Sequence, residues 1–372
     1  RTEPDPRVWT PESPDAPALI TFTSGSSGTP KGANRTHGFL AAQYAALCAE
    51  YTYDPADVDM PMFPVFALRN LADGIPSVIP DVDFRRIHET KGDRVLRQIA
   101  RHGVRTCTAS PPFVDQLAAA SQSAGRDPGL RRILTGGAPV SNGMLQRWHA
   151  AFPNTAITVV YGSTEAEPVA SITLHERLAC EGEGFCAGRP VDAVRARIIR
   201  IEIGPINFQN WEALAPQDGR IGELIVSGNH VCRDYFRNPD AFQENKIIDA
   251  EGVCWHRMGD TGYMDADGRF WLTGRVHTTI VRQGQLFHAQ LIEAQIAPLM
   301  PGAVRVAALG RDDRLIVVVQ GQPAPDAKER FRAAGIPVDE VRFTRKALPL
   351  DPRHRSKIDY VELERMLNEG RI

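Results

Sequence analysis

From Thr23 to Gly32 the chain runs Thr-Ser-Gly-Ser-Ser-Gly-Thr-Pro-Lys-Gly, in which most side chains are a hydroxyl, a hydrogen or a cation. Glycines let backbone amides approach a phosphate closely, hydroxyls donate to its oxygens, and a lysine adds positive charge. Thr23, Ser24, Gly25, Ser26, Ser27, Gly28 and Lys31 are therefore candidates for holding a polyphosphate. The run is not the G-x-x-x-x-G-K-[ST] loop, because Gly32 follows the lysine and the hydroxyl that would meet magnesium is missing. Gly and Ser also fill ordinary surface loops. What favours a phosphate loop is its position, after the short apolar run Ala18–Phe22 and before the helical composition of residues 37–49.

Elements of two kinds must position this loop. Up to about residue 190, β-like runs at Pro76–Ile79, Arg105–Ala109, Arg132–Leu134 and Ala156–Tyr161 alternate with helical stretches such as residues 92–103 and 111–121. That texture predicts an α/β fold with a largely parallel sheet covered by helices. From Arg195 to Arg275 β-rich segments are separated by Gly and Asp turns. Beyond that, about a hundred residues carry their own strands (304–309, 315–320) and helices, enough for a small α+β module. The expected organisation is 1–190 as a nucleotide- and acid-binding core, 191–275 as a β-rich subdomain, and 276–372 as a mobile C-terminal domain hinged near Arg275 and His277. The chain does not begin with Met and the phosphate loop comes within its first thirty residues, so a longer natural N-terminal region is expected.

Composition narrows the partner. Lys and Arg number 43 against 45 Asp and Glu, a net charge of −2, which gives no electrostatic reason to expect nucleic acid or an anionic membrane. No apolar stretch reaches the length of a membrane span and the polar start lacks a signal-peptide core, so a cytoplasmic location is expected. The six cysteines show no C-x-x-C pair or zinc spacing, and we expect them to be reduced and structural. The partner implied is a small molecule.

The glycine-rich loop resembles the phosphate loop of the adenylate-forming superfamily, the AMP-dependent synthetases and ligases. Five further elements follow in the order seen in that family: Gly-Gly-Ala-Pro-Val at 136–140, Tyr-Gly-Ser-Thr-Glu at 161–165, the run 219–228, Arg257–Arg269 with Thr273–Arg275, and Ser-Lys-Ile-Asp at 356–359. The resemblance implies the family fold, a large domain plus a small mobile one, and ATP with Mg²⁺ as cofactors. It implies that Glu165 holds the metal and Thr164 touches a phosphate. By the same carry-over Tyr161 stacks on or flanks the adenine, the Gly136-Gly137-Ala138 backbone lines it, Gly162 and Ser163 belong to the cofactor-binding set, and Asp260 with Arg275 grips the ribose hydroxyls. An acidic acceptor and a cationic donor suit a diol. Lys357 stands where the family has its mobile catalytic lysine. The implied substrate is a carboxylic acid, activated to an acyl-adenylate, with CoA or a carrier protein as a further acceptor in many members. Phe63 and Phe66 fall in the family's acyl-site segment.

Three departures bear on the second half of such a reaction. Pro64 stands where common acyl-CoA synthetases have His, Thr278 replaces the hinge Asp, and Ala289–Glu293 replaces P-x-E-I-E. Together with Trp255–Asp260 and Leu348–Asp359 they resemble the β-lactone synthetase branch of bacterial olefin biosynthesis. That resemblance implies a fatty or 3-hydroxy fatty acid and closure by its own hydroxyl. Against these stand two other readings, a CoA ligase or carrier-loading adenylation enzyme, and a nucleotide-binding protein without chemistry.

Overall fold

In a computed structural model, which describes residues 13–24, 30–84, 86–216, 220–350 and 358–372, the apolar run entering the glycine-rich loop is strand β1 (Pro17–Ser24). It pairs antiparallel with β2 (Pro30–Thr36), Thr23 opposite Lys31 and Ser24 opposite Pro30. The expected strand–loop–helix is thereby corrected: the loop closes a hairpin. Helix α1 (His37–Glu50) begins only after β2, where the Thr36 hydroxyl accepts from the Phe39 amide as N-cap. The segment Pro-Lys-Gly-Ala-Asn-Arg-Thr has little strand propensity of its own. It is held extended by β1 on one side and by an antiparallel bridge from Ala33 to Tyr235 on the other.

A parallel block follows. Strands β3 (Asp59–Pro61), β4 (Thr106–Ala109), β5 (Arg132–Gly136) and β6 (Ala156–Ser163) lie side by side in sequence order. Between them run α2 (Pro64–Asp73), α3 (Gly92–His102), α4 (Pro111–Ala124) and α5 (Asn142–Ala151). Met60, Phe113, Ile133, Trp148 and Phe152 meet in the core beneath these helices. Helices α2, α3 and α4 each end on a left-handed glycine, Gly74, Gly103 and Gly125. The strand expected at Pro76–Ile79 is only a bridge from Ser77 to Asp59. Prolines at 76 and 80 remove ladder donors there.

After a two-residue turn at Thr164 and Glu165 the chain reverses into β7 (Ala166–Thr173), followed by α6 (Leu174–Ala179). From β7 onward every pairing in this sheet is antiparallel. Strands β8 (Phe185–Pro190), β9 (Arg195–Ile199), β10 (Gly222–Ser227), helix α7 (Pro239–Asn245), β11 (Lys246–Ile248), β12 (Cys254–Met264) and β13 (Phe270–Arg275) extend the same sheet. Its order is β3-β4-β5-β6-β7-β8-β13-β12-β10-β9, with β11 on β12. The sheet is mixed because the early connections are helical crossovers whereas the later ones are short turns, and only crossovers of a dozen or more residues permit parallel neighbours.

Residues beyond Arg275 build separate sheets. A hairpin, β14 (Thr279–Arg282) and β15 (Gln285–His288), leads into α8 (Ala289–Ile296). Strands β16 (Arg305–Arg311) and β17 (Arg314–Gln320) pair antiparallel. After α9 (Ala327–Ala333), β18 (Glu340–Thr344) pairs parallel with β17, and α10 (Tyr360–Asn368) closes the chain. The continuous apolar run of β17 is explained by its two covered faces. Leu315, Val317 and Val319 point toward Ile280 and Phe331, while Ile316 and Val318 point toward Leu348, Leu363 and Leu367.

Asp339 ties the hairpin to this second sheet. Its carboxylate accepts from Arg282 Nε at 2.7 Å and Nη2 at 2.9 Å and from the Leu315 amide at 2.8 Å. The Arg282 bonds, then the Leu315 amide, hold it down to about 2, against a smaller upward push from burial. A carboxyl titrates near 3.9 when unfolded, so its contribution is complete above about pH 4 and is lost as pH falls through about 2. Replacing it, Asp339→Asn, should cost about 1 kcal/mol near neutrality after allowance for solvent screening. Denaturant midpoints measured from neutral pH downward should show the gap to the native protein closing below about pH 4.

Candidate functional site

The turn between β6 and β7 carries the densest chemistry. Glu165 is almost wholly buried at 8% exposure. Its Oε1 lies 3.3 Å from Thr23 Oγ1, at the end of β1, and accepts from the Tyr235 hydroxyl at 3.2 Å. The Thr164 carbonyl accepts from Arg35 Nη2 at 2.6 Å, and Arg35, on β2, is itself buried over the Phe39 ring. Burial pushes the Arg35 guanidinium down, opposed by the Cys232, Glu165 and Glu167 charges. The phosphate-loop hairpin and the Thr164–Glu165 turn are thus bonded to each other across 142 residues of chain. Lys31 projects from β2 and ion-pairs with Glu244 at 2.9 Å.

A second set of contacts forms where β6, β12 and β13 meet. Asp260 sits opposite Arg275 in the β12–β13 ladder. Asp260 Oδ1 accepts from Arg275 Nε at 2.8 Å and Oδ2 from the Tyr161 hydroxyl at 2.7 Å, so both carboxylate oxygens are engaged. Burial pushes the Tyr161 phenol well above its ordinary value, and the Asp260 charge adds to the shift. Its ring leans on Phe270 at 5.7 Å between centres. Two residues before Asp260, the Met258 sulfur lies 4.0 Å from Ser163 Oγ. The neighbouring Arg257 makes a buried ion pair with Glu223 at 2.6 Å, and Glu223 also accepts from the Gly259 amide. The turn that delivers Asp260 is anchored by that pair.

Gly136 and Gly137 end β5 beside β6. A side chain at Gly136 would strike the Val160 carbonyl oxygen at 2.3 Å, and Gly137 has a left-handed backbone with φ +80°. Gly162 is constrained similarly: a Cβ there would lie 2.7 Å from the Ala166 carbonyl oxygen and 2.6 Å from Glu167 Oε2. Ala138 is partly exposed beyond Gly137. These glycines lie at the C-terminal ends of parallel strands, the edge where open α/β sheets bind ligands. Phe63 stacks toward this edge, its ring 3.7 Å from where a Cβ on Gly137 would sit. Phe66 is different: at 1% exposure it packs among Leu47, Tyr51, Leu134 and Val160 as a wall of the core. The backbone of Ser24 ends β1, while Gly25, Ser26, Ser27, Gly28 and Lys357 lie outside the described residues.

Four residues of this region gave no signal in the sequence: Arg35, Glu167, Tyr235 and Lys246. Glu167 is pushed up to about 7 by burial, opposed by Arg35. Lys246, which opens β11, is buried at 3% exposure, and burial lowers its ammonium. Between Glu244-Asn245 and Ile247-Ile248 this lysine reads as an ordinary solvated charge, and only the fold shows that it is buried.

The residues fit a magnesium ion held together with a polyphosphate. Mg²⁺ keeps one or two carboxylates and takes its remaining oxygens from phosphates and water, and Glu165 offers one shielded carboxylate beside the hairpin. Among the described residues no group of three or more His, Cys, Asp or Glu could cage a metal by itself.

A strand hairpin carrying the glycine-rich segment, a buried glutamate in the adjoining turn and a Tyr–Asp–Arg cluster converge at the C-terminal end of β6. Residues 2–236 match the family of AMP-binding enzymes, and the chain belongs to that family. It is 32% identical over 366 residues to an olefin beta-lactone synthetase of Stenotrophomonas maltophilia, covering 92% of this chain and 65% of the relative. A protein of the same name from Xanthomonas campestris is 33% identical, over 92% of this chain and 66% of the relative. The chain therefore spans slightly under two thirds of these relatives' length. Among solved structures, an amide bond synthetase from Marinactinospora thermotolerans superposes with a TM-score of 0.72, covering 95% of this chain and 70% of that one at 24% identity. O-succinylbenzoate coenzyme A synthetase from Bacillus subtilis, solved with ATP and magnesium ion, gives 0.70 over 91% and 68% at 19% identity. These likenesses establish the adenylate-forming fold. No helix among the described residues is long and apolar enough to cross a membrane.

Proposed function

We propose that this protein uses ATP to convert a carboxylic acid into an acyl-adenylate, releasing pyrophosphate. The observation that carries this reading is the double engagement of Asp260 by Tyr161 and Arg275, beside a hairpin whose loop is suited to phosphate and whose stem is bonded to Glu165. A carboxylate oxygen attacks the α-phosphorus, a new O–P bond forms, and the bond to pyrophosphate breaks. The protein's share is positioning and charge neutralisation. Asp260 and Arg275 hold the ribose, Tyr161 and the Gly136–Ala138 backbone frame the base, the loop and Lys31 hold the phosphates, and Lys357 neutralises charge near the reacting phosphorus. Lys31 must exchange Glu244 for phosphate to take part. Magnesium, held by Glu165, supplies further charge neutralisation when bound.

The finer proposal is a β-lactone product from a 3-hydroxy acid. The 3-hydroxyl oxygen attacks the acyl carbon, the acyl–phosphate C–O bond breaks, AMP departs, and the hydroxyl proton passes to solvent. An internal nucleophile replaces a bound second substrate through its effective molarity. Two relatives bearing the olefin beta-lactone synthetase name support it. So does the use made of the departing positions. Thr278, where thioester-forming relatives have a hinge Asp, donates to the Arg275 carbonyl at 3.2 Å. Glu293 accepts from the Ala308 amide at 2.9 Å and from the Tyr360 hydroxyl, serving the packing of α8 against β16 and α10.

The test is to incubate the full-length protein with ATP, Mg²⁺ and a panel of fatty and 3-hydroxy fatty acids without CoA, following pyrophosphate, AMP and product by NMR. We expect AMP and a β-lactone from 3-hydroxy acids alone, and a loss on the order of 10²-fold or more in Lys357→Ala. Acyl-adenylate that waits for CoA or a carrier thiol would make the protein a ligase. Absence of pyrophosphate with every acid would leave nucleotide binding as its role.

A further inference from the structure

Behind Glu165 lies a cation with an unusual environment. Lys246 Nζ donates to the Cys232 carbonyl and stands 5.2 Å from the centre of the Tyr235 ring. Among the described residues it makes no ion pair. A buried ammonium served by one carbonyl and one aromatic face is costly for stability alone, since lysine is seldom fully buried without a charged partner. What it grips is informative. Cys232 and Tyr235 both hold Glu165, alongside Thr23 from the hairpin. The Cys232 amide donates to the Glu165 carbonyl at 2.7 Å, and the Tyr235 hydroxyl donates to Glu165 Oε1 at 3.2 Å.

The same short segment is sewn into both neighbours. Val231 bridges Ala166, directly after Glu165, and Tyr235 bridges Ala33 on the phosphate-loop hairpin. The Phe236 amide donates to the Gly32 carbonyl at 2.8 Å and the Asn34 amide to the Asp234 carbonyl at 3.1 Å. Residues 231–236 therefore form the strap that sets the distance between the loop and the glutamate, and Lys246 is the cation on the strap's far side.

We infer that Tyr235 and Lys246 are positioning residues for Glu165: Tyr235 fixes one carboxylate oxygen so that the other is presented to the nucleotide's divalent cation, and Lys246 holds Tyr235 and the Cys232 peptide in place. The inference rests on the proposal that Glu165 holds the metal. A hydrogen bond to one oxygen of a ligating carboxylate orients it, and loss of such outer partners costs roughly 10–100-fold in metal affinity.

The test uses Mn²⁺ in place of Mg²⁺, with free Mn²⁺ read by electron paramagnetic resonance as it is titrated into the full-length protein with ATP present. Tyr235→Phe removes one oxygen and leaves the ring under Lys246. It should weaken Mn²⁺ binding roughly tenfold, while metal-free ATP affinity and the thermal midpoint stay near those of the native protein. Lys246→Met, close in volume, should weaken Mn²⁺ by a similar factor, and the double variant should lose little more than either alone, because both act through one contact. Unchanged Mn²⁺ affinity in Tyr235→Phe, with Glu165→Gln strongly impaired, would overturn the positioning role while leaving the metal role of Glu165 intact. If Glu165→Gln also binds Mn²⁺ normally, the metal assignment itself fails and the inference with it.

Discussion

Asp260→Ala should abolish useful nucleotide binding, lowering kcat/KM for pyrophosphate release on the order of 10²–10³-fold, or about 3–4 kcal/mol. The size of the effect follows from what is left behind. The Tyr161 hydroxyl and the Arg275 guanidinium each lose a bond of 2.7–2.8 Å, in a setting where burial already pushes the Tyr161 phenol well up. Removing Asp260 leaves the buried Tyr161 hydroxyl without its partner, which costs more than the bond itself, whereas Arg275, its side chain 38% exposed, can turn to solvent. If Asp260 also accepts from the ribose hydroxyls, KM for ATP must rise while affinity for the acid changes little. Tyr161→Phe separates the two contributions, since it deletes only the hydroxyl and keeps the ring against Phe270. It should cost about 1–2 kcal/mol, a tenfold effect or so. Steady-state kinetics at varied ATP, with circular dichroism to confirm folding, decides it. An Asp260→Ala protein with native KM for ATP would remove Asp260 from the nucleotide site.

The motif residues could be found in the sequence because each combines a chemical type with a constrained backbone. Glu165 follows Tyr-Gly-Ser-Thr, Asp260 follows Arg-Met-Gly, and glycines at 136, 137 and 162 mark places where chains approach within a Cβ's reach. Strands whose apolar runs are long, such as β6 and β17, were equally legible. The hairpin was not. Pro30–Thr36 contains one proline, one glycine and no large apolar side chain, and becomes a strand only through Tyr235 and β1. The strap at 231–236 was hidden for the same reason: its bonds run to residues 33, 165 and 246, and nothing local in Val-Cys-Arg-Asp-Tyr-Phe announces them. Phe66 falls in the segment that the family resemblance implies for the acyl site, and in the fold it is a buried side chain of the core.

At the sheet edge beside Tyr161, a single methyl group at Gly136 is expected to have a large effect. A Cβ at this position would sit 2.3 Å from the Val160 carbonyl oxygen and 2.8 Å from its Cγ2, and the first of these is backbone in the adjoining strand. Gly136 and Val160 are register partners in the β5–β6 ladder, so the strands would have to part where their pairing ends. Gly136→Ala should therefore cost about 3 kcal/mol, toward the upper end for overpacking, because neither neighbour is a flexible side-chain tip. The displacement would not stay local. Val160 precedes Tyr161, whose hydroxyl meets Asp260, and Gly137 follows with its left-handed turn against Phe63. Thermal unfolding should register the strain, and ATP binding by calorimetry should weaken on the order of tenfold or more even at temperatures where the variant stays folded. Gly143→Ala is the control: it lies in α5, where a Cβ would meet nothing closer than 3.7 Å, and removing a helical glycine should stabilise by about 0.5–1 kcal/mol with binding unchanged. A Gly136→Ala protein that is folded and binds ATP normally would show that the β5–β6 edge can open without disturbing the site, and Gly136 would then have no part in shaping it.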